Sequence, residues 1–354
     1  MSYSTDNLVS QKPICVTGAS GFIASHIVRE LLSRGYQVRG TVRNAENQEK
    51  YAYLYNLEGA NSNLELVSAN LLAPEGFKSA IEGCEYVIHT ASPYALNVKD
   101  PQKDLVDPAV NGTRNVLEAA INCQTVKRIV LTSSVAAITD EPDENEVLTE
   151  KNWNEKSSLT RNAYYYSKTM AEKEAWRIVE EQKPNFDLVV INPFLVIGPS
   201  IIPGLNTSNE LFVDILSGKY PGIMSLTWGI VDVRDVALAH ILAMENPESS
   251  GRYLCANTTI SMKKFVEFLR KEGYDNFKLP KLSMDSSIGN LIVLLSSYLQ
   301  PKGVGDYLRT HIGKTPNFDN NKIRRELGLE FIPLEDSIRE TIADLQRWGH
   351  VKTS

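Results

Sequence analysis

The stretch "NAYYYSK", residues 162–168, places three tyrosines ahead of a lysine. Tyr164 and Lys168 are four residues apart, so on a helix they share one face. A phenol titrating at about 10 is a weak acid–base group near neutrality. A neighbouring ammonium favours the phenolate and brings that pKa down. Tyr166 lies on the face opposite Lys168, whereas helical spacing does not exclude Tyr165 as its partner. Upstream, the run "LTSS" (131–134) ends in Ser134, whose hydroxyl would project at the rim of a strand. Alone, each feature reads as ordinary structure: a strand-end serine, or a tyrosine-rich start to a packed helix. The elements that carry them decide between the readings.

A short β-rich run, "ICVTGA" (14–19), leads into "SHIVRELLSRG" (25–35), which has helical periodicity and stops at Gly35. Further strands are expected at 36–43, 64–71, 86–92, 127–134, 187–196 and 252–257. Helices are expected over about 45–58, 103–122 and 163–182. Strands alternating with helices, with near-continuous apolar strand cores, predict an α/β fold. The sheet is of the Rossmann type, doubly wound and parallel, with about seven strands. Ser134 then ends the fifth strand, and Tyr164 and Lys168 ride on the helix that follows it.

"TGASGFIASH" (17–26) falls where the first strand meets the first helix, with Gly18, Gly21 and Ala24 spaced G-x-x-G-x-x-A. Small residues there let the backbone turn tightly and approach a pyrophosphate, to which the helix N-terminus offers free N–H groups. At the end of the second strand, "TVRN", Arg43 stands where a carboxylate would hydrogen-bond a ribose 2′-hydroxyl. An arginine there suits a 2′-phosphate instead. Lys50, on the next helical stretch, could add a second positive charge.

After residue 196 the alternation loosens into a loop rich in Gly, Pro and Ser, a helical "ELFVDILSG", a strand followed by a helix in "WGIVDVRDVALAHILAM", then helices with irregular stretches. This predicts a dinucleotide-binding domain of 1–196, completed by about 229–257. A smaller, mainly helical C-terminal lobe (197–228 and 258–354) would close over the carboxyl ends of the strands, where such sheets bind ligands.

The bulk properties exclude several classes. Net charge is −6 with no basic block, so no nucleic-acid footprint is present. The five histidines show no HxxxH or HxH spacing, which argues against a metal site. Cys15, Cys84, Cys123 and Cys255 form no CxxC pair and read as reduced thiols of a cytoplasmic protein. The polar N-terminus has no secretory h-region. The longest apolar run, "NLIVLLSSYL" (290–299), is far short of the ~20 residues that span a bilayer. It reads as a buried or interface helix, with contact at a membrane surface as the alternative.

These residues resemble the extended short-chain dehydrogenase/reductase family. "TGASGFIASH", "TVR", "HTAS", "VNGTRNVLEA", "VLTSSVAA", "NAYYYSKTMAEKEAW", "NPFLVIGPS" and "VDVRDVA" occur in that family's order, over about residues 14–245. The likeness is greatest to dihydroflavonol reductases and to fungal NADPH-dependent aldehyde and ketone reductases. "NAYYYSK" is similar to the fungal pattern. Cinnamoyl-CoA reductases carry Trp before the tyrosine and a Tyr-Cys-Tyr run. Ala163 and Tyr165 break that pattern and point away from a CoA thioester.

The resemblance implies a catalytic set of Ser134, Tyr164, Lys168 and the helix-borne Asn111. It implies NADP contacts at Gly18, Gly21, Phe22, Ile23, Asn70, Leu71, Thr90, Ala91, Ser92, Pro193 and Val196, besides Arg43, Lys50, Tyr164 and Lys168. Asn70-Leu71 replaces the Asp-Leu the family often has against adenine; an amide can still bond there. The substrate pocket would draw on Tyr94, Val135, Thr139, Tyr165, Phe194, Trp228 and the 201–228 segment. Thr139 stands where flavonoid-active relatives often place an asparagine, and it is too short for that reach.

The implied reaction moves a hydride from C4 of NADPH to a carbonyl carbon. Tyr164 protonates the oxygen, Ser134 hydrogen-bonds it, Lys168 bonds the nicotinamide ribose, and Asn111 holds a water linking the lysine to solvent. The partner is a small-molecule carbonyl compound, and the chain is expected as a monomer or homodimer. The alternatives are a nucleotide-sugar epimerase or dehydratase, or a hydroxysteroid dehydrogenase/isomerase, on the same fold. A cofactor-sensing regulator would have no use for the Ser134–Tyr164–Lys168 set.

Overall fold

The computed structural model describes residues 12–73, 75–92 and 98–352. Seven parallel strands form the central sheet: β1 (Ile14–Thr17), β2 (Val38–Val42), β3 (Leu64–Ser68), β4 (Tyr86–His89), β5 (Arg128–Thr132), β6 (Asp187–Pro193) and β7 (Gly251–Cys255). Their spatial order is β7-β6-β5-β4-β1-β2-β3. The order reverses beside β1, which pairs with β2 on one side and β4 on the other, opening the crevice where such sheets take their ligands. Apart from the edge strand β3, where Glu65 and Ser68 are exposed, the strand interiors are buried on both faces, which is why they are Val- and Ile-rich rather than alternating.

Four long helices flank the sheet. One layer carries α1 (Phe22–Ser33), whose Ile27, Val28 and Leu31 pack with Val236 and Ile241 of α4 (Val233–Glu245). The other carries α2 (Asp107–Cys123) and α3 (Ala163–Gln182), joined through Val116, Leu117, Ala175 and Ile178. A π-helical turn, Gln102–Val106, runs into α2.

Two expected features differ. The helix expected over 45–58 is a 3-10 turn, Glu49–Tyr51, and a four-residue helix, Ala52–Tyr55; the polar stretch before them stays irregular. The remaining chain is not only helical. Thr227–Asp232 pairs in parallel with Leu195–Ile197 and antiparallel with Thr258–Ser261, forming a separate three-stranded sheet. Phe212, Ile215, Trp228, Phe265, Ile338 and Ile342 build a second apolar core around it. The 290–299 run is a helix, Ser287–Ser296, followed by a 3-10 turn, Ser297–Leu299. Contrary to the buried reading, only Gly289, Val293 and Ser297 of these residues are buried.

Candidate active site

β5 ends one residue before Ser133, and the chain turns into a 3-10 turn (Val135–Ala137) that Ser134 caps, its Oγ accepting from the Ala136 N–H at 3.1 Å. Opposite stands the start of α3. No acidic residue or side-chain cap marks that start. Instead Asn162, in the left-handed region at φ 49°, pins it. Its Nδ2 donates to Asp140 at 2.6 Å and to Thr310 of the C-terminal lobe at 3.2 Å. Both parts of the protein therefore fix the first turn of α3.

That turn places the tyrosines differently. Tyr164 and Tyr165 line a cavity of about 1150 Å³ together with Ser134, and Tyr166 does not. The Lys168 ammonium lies 5.8 Å from the Tyr164 ring centre and donates to Ser92 Oγ at 2.8 Å. Burial alone brings its pKa down to about 8. Tyr165 faces the lobe, its hydroxyl 3.4 Å from His311 Nε2. One turn further along α3, Glu172 is fully buried. It accepts from Arg252 Nε at 2.6 Å, Asn192 Nδ2 at 2.8 Å and Ser133 Oγ at 2.5 Å. Tyr164, Lys168 and Glu172 thus form one stripe at i, i+4 and i+8, and the buried pair holds the stripe against the end of β5.

The glycine loop has the form a dinucleotide needs. Gly18 has φ 67°, and a Cβ there would stand 3.2 Å from Ala91 Cα, so the β1 and β4 ends meet too closely for a side chain. Thr17 Oγ1 joins those ends by accepting from the Thr90 and Ala91 N–H groups, both at 3.1 Å. Gly21 is the N-cap of α1, with no side-chain cap and no acid in the first turn, leaving the N–H groups at Phe22 and Ile23 for a phosphate. Arg43 is exposed at the end of β2, with no hydrogen bond or ion pair among the described residues. Lys50 is exposed, its ammonium 5.7 Å from the Tyr51 ring centre. A phosphorylated dinucleotide fits this cradle.

Residues 14–256 match the NAD dependent epimerase/dehydratase family. The chain belongs to that family. Within it, this chain is of the extended short-chain dehydrogenase/reductase type. It is similar to a cinnamoyl-CoA reductase of Medicago truncatula, 39% identical over 94% of this chain and 95% of that protein. It is also similar to the structure of the yeast methylglyoxal/isovaleraldehyde reductase Gre2 complexed with NADPH. That match has a TM-score of 0.79 and 29% identity, over 96% of this chain and all of the other. Gre2 of Candida albicans in complex with NADPH gives the same TM-score at 32% identity, over 96% and 99%.

Of the substrate residues the family resemblance implied, Val135, Thr139, Tyr165, Phe194 and Trp228 line the cavity. Tyr94 lies outside the described residues. The residues implied for the proton relay and the cofactor have the following surroundings. Asn111 is exposed on α2, its Oδ1 accepts from Arg114 at 2.9 Å, and it is not among the residues lining the cavity. The Asn70 side chain folds back to accept from the Leu72 N–H at 3.1 Å. Leu71 packs against Gly112, and its carbonyl accepts from Asn115. Pro193 and Val196 are buried and do not line the cavity, whereas the intervening Phe194 and Leu195 do.

The sequence reading missed the lobe's own wall. Tyr307 and His311 line the cavity, their rings stacked with centres 4.0 Å apart. His311 is neutral, its pKa lowered to about 4, chiefly by burial. The i, i+4 spacing of Tyr307 and His311 marks one helix face, but nothing in the sequence says what that face meets.

Proposed function

We propose that this chain reduces a bulky, largely apolar aldehyde or ketone at the expense of NADPH, with Tyr164 as the proton donor. The observation that carries the reading is that Ser134 and Tyr164 line one cavity, with the Lys168 ammonium 5.8 Å from the centre of the Tyr164 ring. NADPH, when bound, supplies the hydride. Gly18, Gly21 and the start of α1 hold its pyrophosphate, and Arg43 its 2′-phosphate. Lys168, already hydrogen-bonded to Ser92, is placed to hold the nicotinamide ribose and to favour the Tyr164 phenolate once the proton has left. Ser134 and the Tyr164 hydroxyl together bond the substrate oxygen as charge develops there, and Tyr164 then yields its proton to it.

The cavity favours size. At about 1150 Å³, with Val135, Phe194, Leu211, Trp228 and Tyr307 on its walls, it exceeds what a three-carbon aldehyde fills. Ala163 and Tyr165 support a free carbonyl compound over a CoA thioester. The four cysteines carry no disulfide, which supports a cytoplasmic setting. The test is NADPH oxidation over a panel of carbonyl compounds of rising size. Turnover should increase with apolar bulk and vanish in Tyr164→Phe. Activity confined to two- and three-carbon aldehydes would overturn the substrate class.

A further inference from the structure

Among the described residues, ten large apolar side chains are exposed, and seven of them lie between Leu282 and Leu299. On the helix Ser287–Ser296 they follow one stripe. Ile288, Leu291, Ile292 and Leu295 stand at i, i+3, i+4 and i+7, and Tyr298 and Leu299 continue it. Ile288 is 75% and Leu299 88% exposed, so this is not a partly covered core face. The opposite face is held firmly. Gly289 and Val293 on that face are buried, and Val293 belongs to the second apolar core. Val293 and Ser296, on that inner side, line the substrate cavity, as do Gln300, Pro301 and Lys302 just beyond the stripe. One helix therefore carries the cavity wall on one side and the exposed apolar stripe on the other.

Charge decides what fits the stripe. From 287 to 301 there is no charged residue. Lys278 and Lys281 precede the helix and Lys302 follows it, all exposed. The one carboxylate between 278 and 302, Asp285, is held by Ser225 Oγ at 2.7 Å. The segment is locally basic on a chain of net charge −6. An apolar stripe flanked by lysines suits the boundary of an anionic bilayer, where the apolar face enters the headgroup region and the ammonium groups meet phosphate. A second copy of this chain would set those lysines against each other.

We propose that the helix Ser287–Ser296, whose inner side forms part of the substrate cavity wall, docks the protein on an anionic lipid surface. Docking would hold the cavity next to a membrane in which apolar carbonyl compounds dissolve; this last step rests on the reductase reading. None of the described helices is long and apolar enough to cross a membrane, so the contact is interfacial.

The test is flotation of the full chain with vesicles of phosphatidylcholine alone, or mixed equally with phosphatidylserine. The chain should float with the mixed vesicles, less with the neutral ones, and less at raised salt. Leu291→Asp with Leu295→Asp should abolish flotation. Lys281→Glu should weaken it by about thirtyfold, since each lysine near such a surface contributes about 1 kcal/mol and the reversal counts twice. All variants should reduce a water-soluble carbonyl at the wild-type rate without vesicles, because none of these side chains lines the cavity. Equal flotation by wild type and variants, or none by wild type, overturns the proposal. A dimer in sedimentation that the double variant breaks, without flotation, overturns it in favour of a second copy. If no carbonyl compound is turned over, the reductase reading fails while flotation still decides the docking.

Discussion

The Lys168 ammonium donates to the Ser92 hydroxyl at 2.8 Å, across 76 residues of chain. The bond brings the strand β4 exit and the helix α3 together beside Tyr164. Burial opposes the charge on that amine, which sets a first prediction. The folded pKa of Lys168, about 8, lies below its usual 10.5. Between those values the unfolded chain holds a proton that the folded chain has released. Stability from this group therefore rises with pH across that window. Urea midpoints should show the rise in the wild type and lose it in Lys168→Met. Ser92→Ala removes the acceptor that favours the charged form. It should move the alkaline limb of the reductive kcat/KM profile to lower pH; an unmoved limb would detach Ser92 from the lysine.

The tyrosines can be separated one hydroxyl at a time. Tyr164→Phe should lower kcat by about 10²–10⁴, the usual share of general acid catalysis, with NADPH still bound. Tyr165→Phe loses the contact with His311 and should change KM a few-fold for some substrates. Tyr166→Phe should change neither. A dead Tyr165→Phe beside an active Tyr164→Phe would shift the assignment by one residue.

Arg43 should carry the choice of cofactor. A charge-assisted hydrogen bond contributes roughly 1.5–3 kcal/mol, so kcat/KM should favour NADPH over NADH by about tenfold or more. Arg43→Ala should remove most of that ratio through KM for NADPH. Equal use of both cofactors by the wild type would contradict it.

Glu172 and Arg252 form a buried pair, and removing one partner leaves the other uncompensated. Glu172→Ala should cost about 3–5 kcal/mol in chemical denaturation. The double change Glu172→Met, Arg252→Leu should recover most of that. Failure of the double variant to recover would mean that the bonds to Ser133 and Asn192 dominate.

The sheet was legible because its strands are buried on both faces and interrupted by strong glycine and helix signals. The glycine loop was legible for the same local reasons. The lobe's three-stranded sheet was not, since its strands run from three to six residues and only pair across long separations. Ser134, Tyr164 and Lys168 came through spacing joined to family likeness. Asn111 came through likeness alone, and Arg114, one turn along the same helix, holds its side chain. Tyr307 and His311 escaped because a helix face shows its pattern without showing what it meets. The run at 290–299 escaped for the converse reason: apolar residues signal burial, and sequence does not say whether protein does the burying.

The cation that balances Glu172 arrives 80 residues later in the chain. During synthesis, the strands through β5 and the helix bearing Tyr164 leave the ribosome before Arg252 exists. Until then Glu172 has no guanidinium to bury with, so the inward face of α3 carries a charge that water must keep. The helix bearing Tyr164 gains its buried ion pair only when the last strand of the sheet, with Arg252, is delivered. A half-made chain therefore carries the glycine loop and Tyr164 without the guanidinium that completes the buried pair.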